Sequence, residues 1–187
     1  MSPLPVDLGG GVILRHYEMS DLDALWEAIE VERARLGAWM PFVRDAKTID
    51  DERTWLESVT PEPRGLGGGS LWRGAELVGG VGLFPDTFGI VAEIGYWVRW
   101  EHEGRGYVTR ACSALIEIGF EELGLHRIVI RAGTDNARSR AVPERLGFTY
   151  EGIAREEGRG SGGFYDLAVY GLLDREWGAD AHPSYAK

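Results

Sequence analysis

Apolar side chains recur at helical spacing in the first sixty residues. A first helix is predicted from Ser20, as its N-cap, to about Glu32 or Arg35, because the apolar positions after Ser20 fall three, four and seven residues apart. Those positions are Leu22, Leu25, Trp26 and Ile29. A second helix is predicted over residues 50–59, and the run Val12-Ile13-Leu14 predicts a first strand.

The pattern changes to the alternation typical of strands after residue 70. The proline- and glycine-rich residues 61–69 predict a flexible connection before it. A hairpin is predicted over residues 71–83 around an Arg73-Gly74 turn, and residues 92–98 predict another strand. One face of that strand carries Ile94, Tyr96 and Val98, and the other carries Glu93, Gly95 and Trp97.

The remainder of the chain alternates helices and strands. A strongly amphipathic helix begins near Tyr107, and Gly124 is its predicted stop. A strand at residues 127–132, a short helix at 137–146 and a long last strand at 164–173 follow. A hairpin followed by this alternation predicts a mixed α/β or α+β sandwich.

The composition indicates one folded domain over residues 1–187. The hydrophobic fraction is 44% and the charged fraction 27%, which is ordinary for a globular chain. The lone Cys112 excludes an internal disulfide framework. No long apolar run or signal pattern is present, so we expect a cytoplasmic protein that does not contact membranes. A formal charge of −10 argues against binding nucleic acid through phosphate contacts.

The stretch Glu103-Gly104-Arg105-Gly106-Tyr107-Val108-Thr109-Arg110 carries the strongest chemical signal. Its glycines allow close approach of the backbone to a ligand, and the N–H groups of the helix that begins there attract an anion. A diphosphate is the obvious candidate, and a tight turn with nothing bound is the alternative. The stretch has no third glycine and no Gly-Lys-Ser/Thr ending, so the familiar dinucleotide and triphosphatase loops do not fit.

Arginines concentrate around this stretch and around the following helix. Their planar guanidinium groups suit phosphate oxygens, although solvated surface arginines are the commoner case. The six residues are Arg99, Arg105, Arg110, Arg138, Arg140 and Arg145.

Three motifs stand in a recognisable order along the second half of the chain. They are Tyr96-Trp97-Val98, Gly104-Arg105-Gly106-Tyr107, and Asn136-x-x-Ser139 followed by Glu144-Arg145-Leu146-Gly147-Phe148. Together they resemble the GNAT acyl-CoA-dependent N-acyltransferases, and within them the RimJ/RimL type, the ribosomal-protein N-terminal acetyltransferases. The strand from Asp166 and the closing Glu176-Trp177 extend the likeness, which covers about residues 12–177, with short flexible tails on either side.

The resemblance implies a GNAT-like α+β fold: a central mixed, mostly antiparallel sheet, flanked by helices and splayed between its two middle strands. It also implies acetyl-CoA as co-substrate, without a metal. The pantetheine arm is expected along the backbone near Trp97 and Val98, and the pyrophosphate at residues 105–110. The residues expected to bind CoA are Trp97, Val98, Arg99, Gly104, Arg105, Gly106, Tyr107, Val108, Thr109, Arg110, Asn136, Ser139 and Arg145.

Two departures from the GNAT pattern bear on the expected chemistry. Glu101 stands where the loop usually begins with Gln or Arg, so we do not expect it to bind phosphate. Pro143 stands where many members have a tyrosine that protonates the departing CoA thiolate. The branch resemblance puts Ser139 near the sulfur instead, where its hydroxyl would donate a hydrogen bond or relay a proton. It also puts Asn136 at the pantetheine arm. The alternatives are that Ser139 is an ordinary serine on the helix surface and that Asn136 is only the N-cap of that helix.

The general base is expected to be Glu93, on the strand where this superfamily often has such a carboxylate. A solvated or salt-bridged strand residue is an equally good interpretation of Glu93, and Asp166 on the last strand is a second candidate. Cys112 lies on the apolar stripe of its helix and is expected in the core rather than as a nucleophile. The four histidines lack metal-ligand spacing.

The acceptor is expected to bind elsewhere in the chain, against the first helices. Trp39 and Phe42 are candidates to line its cleft, and residues 158–163 are expected to form a mobile rim or lid. Residues 1–64 carry seven cationic and thirteen acidic side chains, which favours a cationic acceptor such as a ribosomal-protein N-terminus, a polyamine or an aminoglycoside.

Three functions stay open at this point. The first is an acetyl-CoA-dependent N-acetyltransferase that works by direct attack of a primary amine in a ternary complex. The second is a weakly active acyl-CoA-binding sensor, and the third an acyltransferase that uses a larger acyl-CoA such as succinyl-CoA. The branch resemblance also implies a homodimer.

Overall fold

The computed structural model describes residues 3–59 and 67–178. Within these residues eight strands form one sheet: β1 Val6–Asp7, β2 Val12–His16, β3 Gly67–Arg73, β4 Glu76–Pro85, β5 Val91–Val98, β6 Arg127–Gly133, β7 Thr149–Gly160 and β8 Gly163–Leu173. The same part of the chain contains five α-helices: α1 Leu22–Leu36, α2 Pro41–Asp45, α3 Ile49–Val59, α4 Tyr107–Glu121 and α5 Ala137–Arg145. None of these helices is long and apolar enough to cross a membrane.

The sheet is mixed and opens in its middle. Its strand order is β1-β2-β3-β4-β5-β6-β8-β7, and every neighbouring pair is antiparallel except the parallel pair β5 and β6. The pairing of β5 with β6 covers only Val91–Glu93 against Arg127–Val129. Beyond these residues the two strands are no longer paired. The expected mostly antiparallel sheet with splayed middle strands is therefore confirmed.

Helices cover both faces of the sheet. On one face α4 buries Cys112, Leu115 and Ile116 in a core cluster with Ile94 of β5. On the other face α1 and α3 pack in a second cluster that includes Trp97. Each large apolar side chain buried in this way contributes about 1.5–3 kcal/mol. The predicted alternation of β5, with neighbouring side chains on opposite faces, is confirmed.

The start of α1 differs from the prediction. Ser20 does not cap the helix, because it lies within a 3₁₀ turn, Met19–Asp21, where its hydroxyl donates to Glu18 Oε2 at 3.3 Å. The buried Asp21 carboxylate accepts the Glu18 N–H at 2.9 Å and two hydrogen bonds from Arg15. An ion-paired aspartate thus replaces the predicted serine cap at this end.

The predicted flexible connection is wrong over its last three residues. Residues 60–66 lie outside the described residues, but residues 67–69 are the buried start of β3. A Cβ on Gly68 would lie 3.2 Å from the Tyr17 ring, and a Cβ on Gly69 would lie 2.9 Å from Leu14 Cδ1. These glycines therefore serve close packing rather than flexibility.

The segment Gly158–Gly163 is the tip of a hairpin and not the irregular loop expected for a rim or lid. It comprises the end of β7, a two-residue turn and the start of β8. Strand β7 was not predicted, because it lies at the edge of the sheet and most of its side chains are exposed. An exposed edge strand lacks the apolar alternation on which strand prediction depends.

Candidate active site

A cavity of about 1060 Å³ lies where β5 and β6 diverge. Its walls are the loop before α4, the N-terminal part of α5, the end of α1 and the hairpin of β7 and β8. Of the residues predicted for CoA binding and catalysis, those that line it are Glu93, Trp97, Val98, Gly104, Gly106, Tyr107, Val108, Thr109, Arg110, Asn136, Ser139 and Arg145.

The open edge of β5 presents backbone groups to this cavity. The Arg99 N–H donates to the Val78 carbonyl of β4 at 2.9 Å, and alternate residues of a strand direct their backbone groups to opposite sides. The N–H and C=O groups of Tyr96 and Val98 therefore face the gap, while those of Trp97 face β4. The Val98 carbonyl accepts a hydrogen bond from Arg35 Nη2 at 2.6 Å. An extended ligand lying along β5 would meet the groups of Tyr96 and Val98.

The loop before α4 has the geometry of an anion site. Gly104 and Gly106 adopt φ values of +73° and +74°, a region that favours glycine, and Gly106 is the N-cap residue of α4. The first N–H groups of the fifteen-residue helix have no partner within the helix. Arg110 lies over the Tyr107 ring at 5.2 Å, and its buried Nε has no hydrogen-bond partner among the described residues. A phosphate group fits these donors.

Two arginines predicted for this site lie outside the cavity lining. Arg99 pairs with Glu27 of α1, with Nη1 2.7 Å from Glu27 Oε2, and Arg105 has an exposed side chain. Glu101 also lies outside the lining, with Oε2 3.9 Å from Arg99 Nε. Glu103, which begins the predicted loop but was not among the residues expected to bind CoA, does line the cavity.

Glu103 bridges two walls of the cavity. Its carboxylate pairs with Arg35 of α1 at 2.8 Å and with Arg138 of α5. Arg35 also bonds to Glu32 Oε2 at 2.6 Å and, as above, to the Val98 carbonyl. The arginines near the expected phosphate site are thus partly neutralised by this carboxylate.

Ser139 lies on the opposite wall, at the start of α5. Asn136 is the N-cap of that helix, and its side-chain oxygen accepts the Ser139 N–H at 3.1 Å. The Ser139 Oγ donates to the Tyr96 hydroxyl at 3.2 Å, and that hydroxyl donates to the Ser139 carbonyl at 2.8 Å. Burial raises the pKa of Tyr96 well above its usual range. Asn136 therefore caps the helix and lines the cavity as well.

Glu93 belongs to a charged cluster at the point where the strands part. It pairs with Arg131 of β6, whose Nε lies 4.0 Å from Glu157 Oε1 of β7. Burial raises the pKa of Glu93, and Arg131 opposes that effect. Asp166 does not line the cavity; its Oδ1 accepts the Glu156 N–H at 2.8 Å. This part of the cavity thus contains two carboxylates, Glu93 and Glu157, with Arg131 between them.

An aromatic wall closes the far end of the cavity. Trp39 lies against Gly133, where an added Cβ would be 2.5 Å from Trp39 Cζ3. Tyr165 meets Trp39 edge-on at 5.3 Å and donates its hydroxyl to the Trp39 carbonyl at 2.6 Å. Phe42, expected beside Trp39, instead stacks on Trp55 at 5.6 Å and does not line the cavity.

The chain matches the family model of the acetyltransferase (GNAT) domain over residues 12–149. The chain belongs to the GNAT family of acetyltransferases. It is 40% identical over 174 residues to the putative ribosomal N-acetyltransferase YdaF of Bacillus subtilis (strain 168), an alignment that covers 89% of this chain and 93% of that protein.

Solved GNAT structures share the fold. A probable acetyltransferase has a TM-score of 0.84 at 37% identity, over 94% of this chain and 100% of that one. RimL, a ribosomal L7/L12 alpha-N-protein acetyltransferase in complex with coenzyme A, has a TM-score of 0.84 at 20% identity, over 91% and 98% of the two chains. The resemblance drawn from the sequence motifs is confirmed, and this GNAT chain is an N-acetyltransferase.

Polar residues that line this GNAT cavity and that sequence reasoning did not assign to the site include Tyr96, Glu103, Arg131 and Glu157. Tyr96 stood inside a recognised motif, but nothing in the sequence indicated its bond to Ser139. Cys112 is fully buried against the sheet, and burial raises the pKa of its thiol, which confirms that it belongs to the core. Among the described residues no group of three His, Cys, Asp or Glu side chains is arranged to hold a metal ion.

Proposed function

We propose that this enzyme transfers the acetyl group of acetyl-CoA to a primary amine by direct attack in a ternary complex. The observation that carries the proposal is one continuous cavity with two chemically different ends. One end offers glycines, helix N–H groups and Arg110 to phosphate oxygens. The other offers Glu93, Glu157 and an aromatic wall to a cationic amine. Ser139 lies on the wall beside the open edge of β5.

The anion-attracting end fits the CoA pyrophosphate. Gly104 leaves open space, since an added Cβ would meet nothing within 4 Å, and the Arg110 guanidinium supplies positive charge at the same end of the cavity. The free groups of Tyr96 on the open edge of β5 suit the amides of the pantetheine arm. Acetyl-CoA supplies the activated acyl group.

Glu93 is the proposed general base. An ammonium must lose a proton before its nitrogen can attack, and a carboxylate with a raised pKa is better matched to that task than an ordinary one. Arg131 opposes this rise in pKa and so favours the ionised carboxylate that a base requires. Glu157 is a second carboxylate in the same cavity, so a proton can also pass through ordered water between the amine and either group.

Ser139 is proposed to stabilise the leaving sulfur. As the C–N bond forms and the C–S bond breaks, the electron pair of the broken bond remains on sulfur. A hydroxyl that donates to this anion lowers the barrier. The second proton of the acceptor nitrogen then neutralises the thiolate, so that the products are the acetylated amine and the CoA thiol. Pro143 has no proton to contribute to this step.

The acceptor is proposed to be a protein N-terminus. The relative at 40% identity is described as a putative ribosomal N-acetyltransferase, and the acidic first 64 residues favour a cationic partner. The aromatic wall of Trp39 and Tyr165 offers apolar surface to the first side chain of a peptide. A small cationic amine, such as a polyamine, would use the same carboxylates without that wall.

Two measurements test the proposal. Calorimetric titration with acetyl-CoA is expected to give one site per chain, and a thiol-release assay is expected to give turnover with basic peptides that carry a free N-terminus. Blocking the peptide N-terminus should abolish turnover. Binding without turnover across peptides and polyamines would favour the sensor function. Faster turnover with succinyl-CoA than with acetyl-CoA would favour the larger acyl group.

A further inference from the structure

The Tyr96 hydroxyl joins the two walls of the cavity. It extends from β5, which has already separated from β6 at this level, to Ser139 on α5. The two residues exchange two hydrogen bonds: the Tyr96 hydroxyl donates to the Ser139 carbonyl at 2.8 Å, and Ser139 Oγ donates to the Tyr96 oxygen at 3.2 Å. Strand β5 is therefore linked to α5, the helix that follows β6, through a tyrosine and a serine that both line the cavity.

Tyr96 determines the direction of the Ser139 hydroxyl. The Ser139 N–H is already bonded to Asn136 Oδ1 at 3.1 Å, which fixes the backbone at the start of α5. Among the described residues only Tyr96 bonds to Ser139 Oγ. Burial raises the pKa of Tyr96, so its hydroxyl stays protonated at neutral pH and acts as a hydrogen-bond donor, not as a source of protons.

Resting on the proposed function, we propose that Tyr96 is a positioning residue for acyl transfer. It holds Ser139 Oγ at the wall of the cavity, and when the Ser139 hydroxyl turns from Tyr96 to the thiolate, the single Tyr96 O–H moves from the Ser139 carbonyl to Ser139 Oγ. A hydroxyl that accepts a hydrogen bond is a stronger donor, because hydrogen bonds in a chain polarise one another. No proton leaves Tyr96 or Ser139 in this step, and the thiolate still takes its proton from the acceptor nitrogen.

A second tyrosine provides a matched control. Tyr170 of β8 also ties α5 to the sheet, because its hydroxyl donates to Glu144 Oε1 at 2.8 Å and accepts from Arg140 Nε at 2.9 Å. It does not line the cavity or contact Ser139 Oγ. Tyr170→Phe thus removes a sheet-to-helix bond of the same kind and leaves the proposed Ser139 contact intact.

The test measures the thiol of bound coenzyme A itself. The full chain and the variants Tyr96→Phe, Ser139→Ala, the double variant and Tyr170→Phe are each saturated with CoA. The thiolate is then titrated by its ultraviolet absorbance, after subtraction of the protein without CoA. We expect Tyr96→Phe to raise the pKa of the bound thiol by about one pH unit, the effect of one hydrogen bond to a charged group. Ser139→Ala should raise it at least as much, and the double variant no further than Ser139→Ala.

Turnover provides the second measurement. Tyr96→Phe should lower kcat with a peptide acceptor about tenfold, in line with the same hydrogen bond, while the Kd for CoA changes less than about twofold. Tyr170→Phe should match the wild type in both. Phenylalanine keeps the ring of Tyr96, and Ser139→Ala tests the same contact from its other side if the first variant unfolds.

The outcomes separate the two proposals. If the wild type does not bind CoA, the proposed function fails and this inference fails with it. If CoA binds but its thiol pKa is the same in the wild type and in Tyr96→Phe, or rises equally in Tyr170→Phe, only the role of Tyr96 is overturned.

Discussion

Gly160 of β7 lies directly against the backbone carbonyl of Ala38, so closely that an added Cβ would overlap the Ala38 oxygen. The neighbouring Ser161 N–H donates to the Gly37 carbonyl at 2.8 Å. Together these contacts hold the hairpin of β7 and β8 against the turn that follows α1. Trp39 follows Ala38 directly in that turn. The position of the aromatic wall therefore depends on the contacts between the hairpin and the turn.

Substitution of Gly160 should therefore damage acceptor binding. We expect Gly160→Ala to lower the free energy of unfolding by about 1–3 kcal/mol, because the hairpin must shift away from Ala38. The KM for the acceptor should rise while the Kd for acetyl-CoA is unchanged. Gly162→Ala is the control, since a Cβ there would meet nothing within 4 Å. Equal effects of the two substitutions, by urea denaturation and steady-state kinetics, would contradict this prediction.

Arg131 should set the lower pH limit of activity. Its charge opposes the effect of burial on Glu93, so its removal raises the pKa of Glu93 further. Since a general base must be ionised, the acid limb of the rate profile should move to higher pH in Arg131→Met, with a larger loss of activity near pH 6 than near pH 8.5.

Arg127→Met is the matched control for that profile. Arg127 lies on the same strand and pairs with Glu151 of β7 at 2.5 Å, outside the cavity. Its removal should leave the acid limb in place. An unchanged limb in Arg131→Met as well would exclude Glu93 as the base, and the profile of Glu157→Gln would then show whether the second carboxylate serves instead.

Gly104, in the loop before α4, should be required for CoA binding as well as for the conformation of the turn. Gly104 has φ +73° and an unobstructed Cβ position, so Gly104→Ala introduces a strain of about 1–2 kcal/mol and a methyl group facing the proposed phosphate site. Gly124, after the other end of α4, has φ +66° and equally open surroundings. We expect both substitutions to lower the melting temperature similarly. Only Gly104→Ala should weaken CoA binding, by about tenfold on calorimetric titration.

Local signals made the centre of the fold predictable. The alternation of β5, the amphipathic α4 and the glycines between them are encoded within about thirty consecutive residues, and the structure has all three. Strand β7 was missed because it forms at the sheet edge, where hydrogen bonds to β8 rather than buried side chains define it. The expected flexibility of residues 158–163 is wrong for a related reason. Gly158 packs on Tyr165 across the hairpin, and Gly160 packs on Ala38, which is far away in the sequence.

In the candidate site, too, the local features could be predicted from the sequence and the long-range contacts could not. The backbone features of the proposed CoA site follow from glycines and a helix start, which the sequence displays. The side-chain contacts Tyr96 to Ser139 and Glu103 to Arg138 join positions about forty residues apart, and no spacing rule predicts them. Arg99 was assigned by proximity to the motif, but its bond to Glu27 depends on where α1 packs.

The buried carboxyl of Glu52, on α3, should make the free energy of unfolding depend on pH in an unusual way. It is 1% exposed, and neither carboxylate oxygen has a hydrogen-bond partner among the described residues. Burial raises its pKa to about 7 from an ordinary 4.5, while Arg33 opposes the shift. Between these values the carboxyl is protonated in the folded chain and ionised in the unfolded one. Its contribution to stability is therefore full below about pH 4.5, falls as pH rises, and is lost above about pH 7.

The difference between wild type and Glu52→Gln isolates this effect from the other carboxylates. Glutamine keeps the shape of the protonated side chain without its titration. The free energy of unfolding of the wild type, relative to the variant, should fall by about 3 kcal/mol between pH 4.5 and pH 7.5 in urea denaturation. Glu57→Gln, at an exposed position of the same helix, should show no such slope. A flat difference for Glu52→Gln would mean that the buried carboxyl is protonated, or ionised, equally in both states.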